Sequence, residues 1–364
     1  MEETLTIRNF GPIKDVTLDL RKINIFIGDQ GTGKSTVAKV LAVLKTTISY
    51  HHIGKNEVVR QTVRNTIEEN FKFALKRFDL TYSLKNSFLF LKYDCYFLKY
   101  ENEKIVFDFG ETDEYFGNSV FSFIPSYREV AILLKDNLFA LMSTNTTLPQ
   151  ILTFFGDNFT KAKNEIGNFN YSDIFDVTFS YKSGNDIIIL NNNNFILLNE
   201  ASSAINSGVP MLVVHDYLYH KLKTYYEKNR KFLTIIEEPE LNCFPLTQKK
   251  IVTYFIEKLI LSQNQLLITT HSPYILTSLN NLMYAYVVGQ KDKVGVNKII
   301  EEKYWVNPED VSCYFMNDGY AEPIMNYKEG MIKAEIIDSV SAIINKEFDE
   351  LIKLEINLEA IEIQ

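Results

Sequence analysis

Eight consecutive residues, Gly28-Asp29-Gln30-Gly31-Thr32-Gly33-Lys34-Ser35, fit the pattern GxxxxGK[ST], and the candidate contact run extends to Thr36. The spacing has a specific use. Its glycines let successive backbone N–H groups converge on phosphate oxygens at the positive end of a following helix. Lys34 would place its ammonium on the outer phosphates, and the Ser35 hydroxyl would be a magnesium ligand. The flanks agree with this use. A continuous apolar run, Ile23 to Ile27, enters the turn, and helix-like sequence leaves it from Ser35 to about Ser49. A chance glycine-rich turn is the poorer reading in that context. A phosphate loop alone does not separate a GTPase, a kinase and an ATPase.

Two further segments bear on that choice. Phe232-Leu233-Thr234-Ile235-Ile236-Glu237-Glu238-Pro239-Glu240 is an apolar strand that runs straight into carboxylates. Such a strand delivers Glu237 to the carboxyl edge of a sheet, where it can hold magnesium directly or through water. Glu238 projects differently and can polarise the water that attacks a γ-phosphate. In Thr269-Thr270-His271-Ser272-Pro273, His271 directly follows a strand, within reach of that phosphate or water. The other four histidines, His51, His52, His215 and His220, have no comparable setting.

The elements that must position these groups read as an α/β fold. Strands at Leu5 to Phe10, Val16 to Leu20 and Ile23 to Ile27 lead into the loop and its helix. Later come a helical region from Ala201 to about Lys228, the strand before Glu237, a helix from Leu246 to Leu261, and a strand at Gln265 to Thr269. Alternation of strands and helices around one sheet points to an α/β core. The expected division is a discontinuous nucleotide-binding core, residues 1–50 and 190–364, around an inserted α+β and helical lobe, residues 51–190. An acidic helical extension occupies 333–364.

Composition excludes several classes. The 364 residues are 46% hydrophobic, ample for a large core, and the net charge is −8. That balance gives no general electrostatic reason to bind DNA, and the Lys72, Lys76, Arg77 cluster reads as an ordinary solvated helix face. Cys95, Cys243 and Cys313 are scattered and form neither a disulfide framework nor a zinc site. No apolar run approaches a bilayer span, and no basic-then-apolar leader opens the sequence, so the expectation is a cytoplasmic protein without membrane partners.

Taken in order, these motifs resemble the ABC-type ATPase heads of the RecF, SMC and OLD (overcoming lysogenization defect) proteins, often described as AAA-family ATPases. The likeness runs through Ile7-Arg8-Asn9-Phe10-Gly11-Pro12-Ile13, the phosphate loop and Phe123-Ile124-Pro125-Ser126-Tyr127-Arg128. It continues through Asn199-Glu200-Ala201-Ser202-Ser203, Glu237 to Pro245 with Gln248, and Thr270 to Pro273. The resemblance implies a P-loop NTPase of the ABC-ATPase type with a mixed-sheet core, ATP and magnesium as cofactors, and a head-to-tail ATP sandwich between two copies. In that sandwich the signature Ala201-Ser202-Ser203-Ala204 caps the partner's nucleotide. A serine hydroxyl at a helix start can bind an anion, and it can equally cap its own helix. There are departures. Ala204 stands where the signature usually has glycine, and no Q-loop glutamine is identifiable, Gln61 and Gln150 being the only candidates. The first acidic residue is Glu237 rather than aspartate. Arg128 resembles a family arginine, with a structural salt bridge as the alternative role.

OLD proteins carry a TOPRIM nuclease after the histidine motif. Only 93 residues follow His271 here (364 − 271), without an Asp-x-Asp pair, and no long heptad run of the SMC kind is present. The expected function is an ATP-hydrolysing, ATP-gated homodimer acting in DNA repair or anti-phage defence. The alternative is a slow-turnover scaffold that holds or releases a separate effector, nuclease or toxin, with the altered signature in its favour. DNA is the other partner left open. A GTPase or nucleotide kinase is disfavoured, because no Asn-Lys-x-Asp guanine reader is present.

Overall fold

The computed structural model describes residues 3–49, 57–93, 96–108, 120–134, 148–192, 194–225, 232–260 and 264–333, together with 346, 349 and 351–352. Most of the acidic extension expected at 333–364 thus lies outside the described residues.

In chain order the strands are β1 (Glu3–Phe10), β2 (Ile13–Leu20), β3 (Ile23–Ile27), β4 (Phe88–Tyr93), β5 (Tyr96–Glu101), β6 (Lys104–Asp108) and β7 (Val120–Ile124). Then come β8 (Asn168–Tyr171), β9 (Val177–Lys182), β10 (Asn185–Leu190), β11 (Phe195–Leu197), β12 (Phe232–Glu237), β13 (Gln265–Thr270), β14 (Val311–Asn317) and β15 (Tyr320–Pro323). Eleven of them make one sheet in the order β6-β5-β4-β1-β2-β15-β14-β3-β13-β12-β7. The side from β14 to β7 is parallel, and the side from β2 to β6 is antiparallel, so the sheet is mixed. The two sides meet where Tyr320 pairs with Asp15 and the Gly319 carbonyl accepts from the amides of Lys14 and Asp15.

Residue type explains which strands went where. Every residue of β3 and of β12 is buried, as parallel strands covered on both faces require. Successive residues feed opposite layers. Ile23, Ile25 and Ile27 face one core, while Phe26 faces the other. One layer holds the helices α1 (Lys34–Ser49) and α2 (Glu57–Arg77). The short α3 (Glu129–Leu134) follows β7. The other layer holds α4 (Gln150–Glu165), α5 (Ser203–Tyr225), α6 (Pro245–Ile260) and α7 (Pro273–Gly289). The result is a three-layer α/β/α arrangement.

The described strands of the stretch 51–190 pair in two places. Strands β4 to β6 extend the main sheet from β1, and β7 pairs with β12 at the opposite edge, two strands beyond β13 from the phosphate-loop strand β3. Strands β8 to β11 form a separate four-stranded sheet, which shares a core with α4 and α5. Strand pairing between residues this far apart in sequence leaves no trace in local periodicity, so the join at β1 was not visible in the sequence.

Candidate nucleotide and hydrolysis site

The four strands β3, β13, β12 and β7 are neighbours, parallel and in register at their carboxyl ends. Ile27 pairs with Thr270, Glu237 with Thr269, and Ile236 with Ile124. Loops beginning at Gly28, His271, Glu238 and Pro125 therefore leave the sheet along one edge, the usual ligand edge of open α/β sheets.

Two glycines fix the phosphate loop. A Cβ on Gly28 would lie 2.2 Å from the Met316 carbonyl oxygen of β14, and one on Gly33, at φ 100°, would lie 2.3 Å from Cδ1 of Ile13. The loop can wrap this tightly only without side chains there. Lys34 begins α1, is 5% exposed, and its ammonium donates to the carbonyls of Gly28 and Asp29, each at 2.7 Å. Burial lowers its pKa, while the carboxylates of Glu238, Asp29 and Glu240 pull the other way. A desolvated cation held only by neutral carbonyls gains strongly from a nearby anion.

Strand β12 delivers the acidic pair. Glu237 is buried, and its Oε2 accepts from the Ser126 amide at 3.2 Å. Burial raises its pKa. The charge of Lys39, the Ser35 hydroxyl and the Ser126 amide oppose that rise. Glu238 turns the chain with φ 48°, a left-handed conformation that costs a non-glycine residue about 1 kcal/mol. Its amide donates to the Thr269 carbonyl at 2.8 Å. The carboxylate that results from this turn lies with Oε1 3.7 Å from Nε2 of His271, both side chains partly open to solvent. Glu237 thus points into the protein and Glu238 points along the edge toward His271.

The chain matches the model of the AAA ATPase domain over residues 1–150 and 129–276. It belongs to that family. Its activity is ATP hydrolysis, and the candidate residues for it are those gathered at this edge. No curated protein matches the chain. Among solved structures it is similar to an SMC head domain from Thermotoga maritima, at 8% identity, covering 89% of this chain and 98% of that one with a TM-score of 0.40. It is also similar to an SMC head bound to the C-winged helix domain of ScpA, at 9% identity, with 91% and 99% covered and a TM-score of 0.48. A third is the recombination mediator protein RecF with ATPrS, at 10% identity, with 89% and 98% covered and a TM-score of 0.43.

The AAA ATPase site fits a hard divalent cation. Oε1 of Glu237 is buried without a hydrogen-bond partner, and the Ser35 hydroxyl sits beside the same carboxylate. A buried anionic oxygen next to a hydroxyl and a phosphate loop is the donor set that magnesium takes.

The structure brings together Gly28 to Ser35, Glu237, Glu238 and His271. Thr36, in the first turn of α1, is buried. Ser202 and Ser203 are exposed, one just before and one beginning α5, and neither shares a hydrogen bond with any of these groups. The start of α5 is instead held by Asn206, whose amide and side chain donate to Ser202 and Ala201 carbonyls at 2.9 Å. Gln61 lies in α2 and bonds Asn65, and Gln150 opens α4, so neither joins the site by hydrogen bond. His215 packs among Tyr219, Phe232 and Phe255, and burial pushes its pKa down to about 3. It is a core histidine.

Two residues carry more than their sequence suggested. Glu240 accepts from the Thr270 hydroxyl at 2.7 Å and from the His271 amide at 2.8 Å, fixing the loop that presents the histidine. The only advance signal was a third carboxylate in Glu-Glu-Pro-Glu. Arg128 is the second. Among the described residues it makes no salt bridge with a carboxylate. Its guanidinium donates to four backbone carbonyls.

Proposed function

We propose that this ATPase hydrolyses ATP with Glu238 as the group that polarises the attacking water and His271 as its neighbour on the γ-phosphate side. In this reading a second copy completes the site through Ser202 and Ser203. The observation that carries it is the convergence of Lys34, Ser35, Glu237, Glu238 and His271 on one sheet edge, while the exposed serines of α5 are not bonded to that edge.

Gly28 to Thr36 bind the phosphates by amides, and Lys34 exchanges two neutral carbonyls for an anion. Ser35 and Glu237 would hold magnesium, which neutralises charge that develops on the phosphates when bound. Glu238 orients water and accepts its proton, and His271 supports the charge on Glu238 or on the phosphate. A twofold pair uses the same two surfaces twice, so both sites are completed together. The sequence resemblance to RecF, SMC and OLD heads supports a role in DNA repair or anti-phage defence in the cytoplasm.

The test pairs one active-site variant with one signature variant. Glu238→Gln is expected to bind ATP and to lose about 10²–10⁴-fold in turnover, and with ATP and magnesium it is expected to run as a dimer in light scattering. Adding Ser203→Arg should leave ATP binding intact and prevent that dimer. Equal masses for both would overturn the sandwich.

A second reading, an ATP-gated scaffold of slow turnover that holds a nuclease or toxin, is favoured by Ala204 and by the position of Gln61 and Gln150 away from the site's hydrogen bonds. Turnover of the wild-type protein with and without DNA separates the two.

A further inference from the structure

Arg128 is fully buried and follows β7 in the loop that also sends the Ser126 amide to Glu237. Its Nη1 donates to the carbonyls of Glu237 at 2.9 Å and Pro125 at 3.1 Å, and its Nη2 to the carbonyl of Glu238 at 2.9 Å. Its Nε donates to the carbonyl of Ser207 in α5 at 3.0 Å. One planar fork therefore spans the first turns of α5, the loop after β7 and both peptide carbonyls of the acidic pair. Only arginine has donors in this fixed geometry, because a lysine ammonium is a point charge that cannot face all four.

The arrangement is an expensive way to gain stability. Burial disfavours the Arg128 cation, the charges of Glu240, Glu129 and Glu238 offset this only in part, and apolar residues usually do better as core. It is a good way to gain position. Glu238 adopts a left-handed backbone before Pro239, a conformation that needs support from its surroundings. Its amide is held by Thr269 and its carbonyl by Arg128, so both ends of that strained residue are fixed and its carboxylate direction with them.

We propose that Arg128 is a positioning residue for hydrolysis, tying the start of the signature helix α5 to the Glu237–Glu238 turn so that closure on a partner's nucleotide sets Glu238 in its own site. The transmission to Glu238 rests on the ATP-sandwich reading, and the positioning of Glu238 does not. In a twofold pair, α5 of one head touches the other head's ATP, while the carboxylate that α5 adjusts serves its own head's ATP. Arg128 then makes each site's turnover depend on occupancy of the other.

Arg128→Lys and Arg128→Gln test this against a merely structural role. Calorimetry of ATP binding, light scattering in the Glu238→Gln background and steady-state turnover are compared for each. The expected result is ATP affinity within about twofold of wild type, an ATP-driven dimer still present, turnover down by ~10²-fold, and loss of sigmoidal dependence on ATP. Arg128→Lys is expected to recover only part of the turnover. Turnover within about twofold of wild type in a folded Arg128→Lys protein would overturn the proposal, and so would loss of turnover only in proportion to lost ATP affinity. If neither variant folds, amide exchange on Glu238→Gln decides. ATP should slow exchange at residues 238–243 in that protein and not in its Ser203→Arg derivative, and equal protection in both would overturn the coupling. Failure of the sandwich is distinguishable, because Glu238→Gln would then form no ATP-driven dimer, while the turnover of Arg128→Lys would still judge positioning.

Discussion

Burial pushes the Glu237 carboxyl above the usual carboxylate range, against the charge of Lys39, the Ser35 hydroxyl and the Ser126 amide. The sign of the consequence follows from linkage. A carboxyl whose pKa is raised by folding adds stability below its unfolded pKa, and that contribution is lost as pH rises through the folded value. The ionised form required by the proposed role of Glu237 as a magnesium ligand is thus the form the protein alone disfavours. Glu237→Gln should melt higher than wild type in neutral buffer without nucleotide, yet gain nothing from magnesium added to ATP. Melting curves from mildly acidic to mildly alkaline pH check both halves. The magnesium-dependent gain of the wild type should shrink toward acid, and a lower melting point for the variant in buffer alone would contradict the assignment. Lys34→Ala makes a companion prediction. Its ammonium is already desolvated and held by carbonyls alone, so its loss should abolish ATP binding in calorimetry without unfolding the protein.

At the scale of elements, the aromatic strands β4 to β6 are the instructive case. Leu89, Leu91 and Leu98 are fully buried in the same core as Val37, Leu41 and Leu44 of α1, the helix that starts at the phosphate loop. These strands and α1 share one core with β1, which predicts that they unfold together. Leu91→Ala should therefore lower global stability by about 2–5 kcal/mol, in one denaturant transition seen equally by circular dichroism and by nucleotide binding. A separate early transition that leaves the phosphate loop intact would make β4 to β6 an independent lobe. The exposed Lys72, by contrast, is paired with Glu68 at 2.6 Å along α2, a solvated contact of small energy.

At the scale of the whole molecule, the proposed sandwich links ATP binding to assembly. A ligand that binds one state only stabilises that state by mass action, and when the state is a dimer the melting point depends on protein concentration. In the Glu238→Gln background, ATP with magnesium should raise the melting point more at high than at low protein concentration. Adding Ser203→Arg should keep the shift due to ATP and remove its concentration dependence. Concentration dependence that survives Ser203→Arg would place the contact elsewhere. Among the described residues no helix is long and apolar enough to cross a membrane, and with a net charge of −8 any DNA contact depends on a local basic face.

The sequence alone determined what local chemistry dictates. Gly28 to Ser35 could be read because a phosphate loop is one turn between one buried strand and one helix, and its glycines are needed for contacts within that turn. The acidic end of β12 and the histidine after β13 were legible for the same reason, since a strand of buried residues announces its own end. Tertiary structure decided what depends on pairing between distant segments. That β4 joins β1, that β7 lies beside β12, and that Glu237 pairs with Thr269 are matters of register across long loops, which periodicity does not encode. Arg128 shows the limit most clearly. The sequence singles out Arg128 by resemblance without giving it a role, and only the fold buries it among carbonyls from Pro125, Ser207, Glu237 and Glu238. Backbone acceptors carry no residue identity, so a side chain that binds them leaves no partner to be found in the sequence.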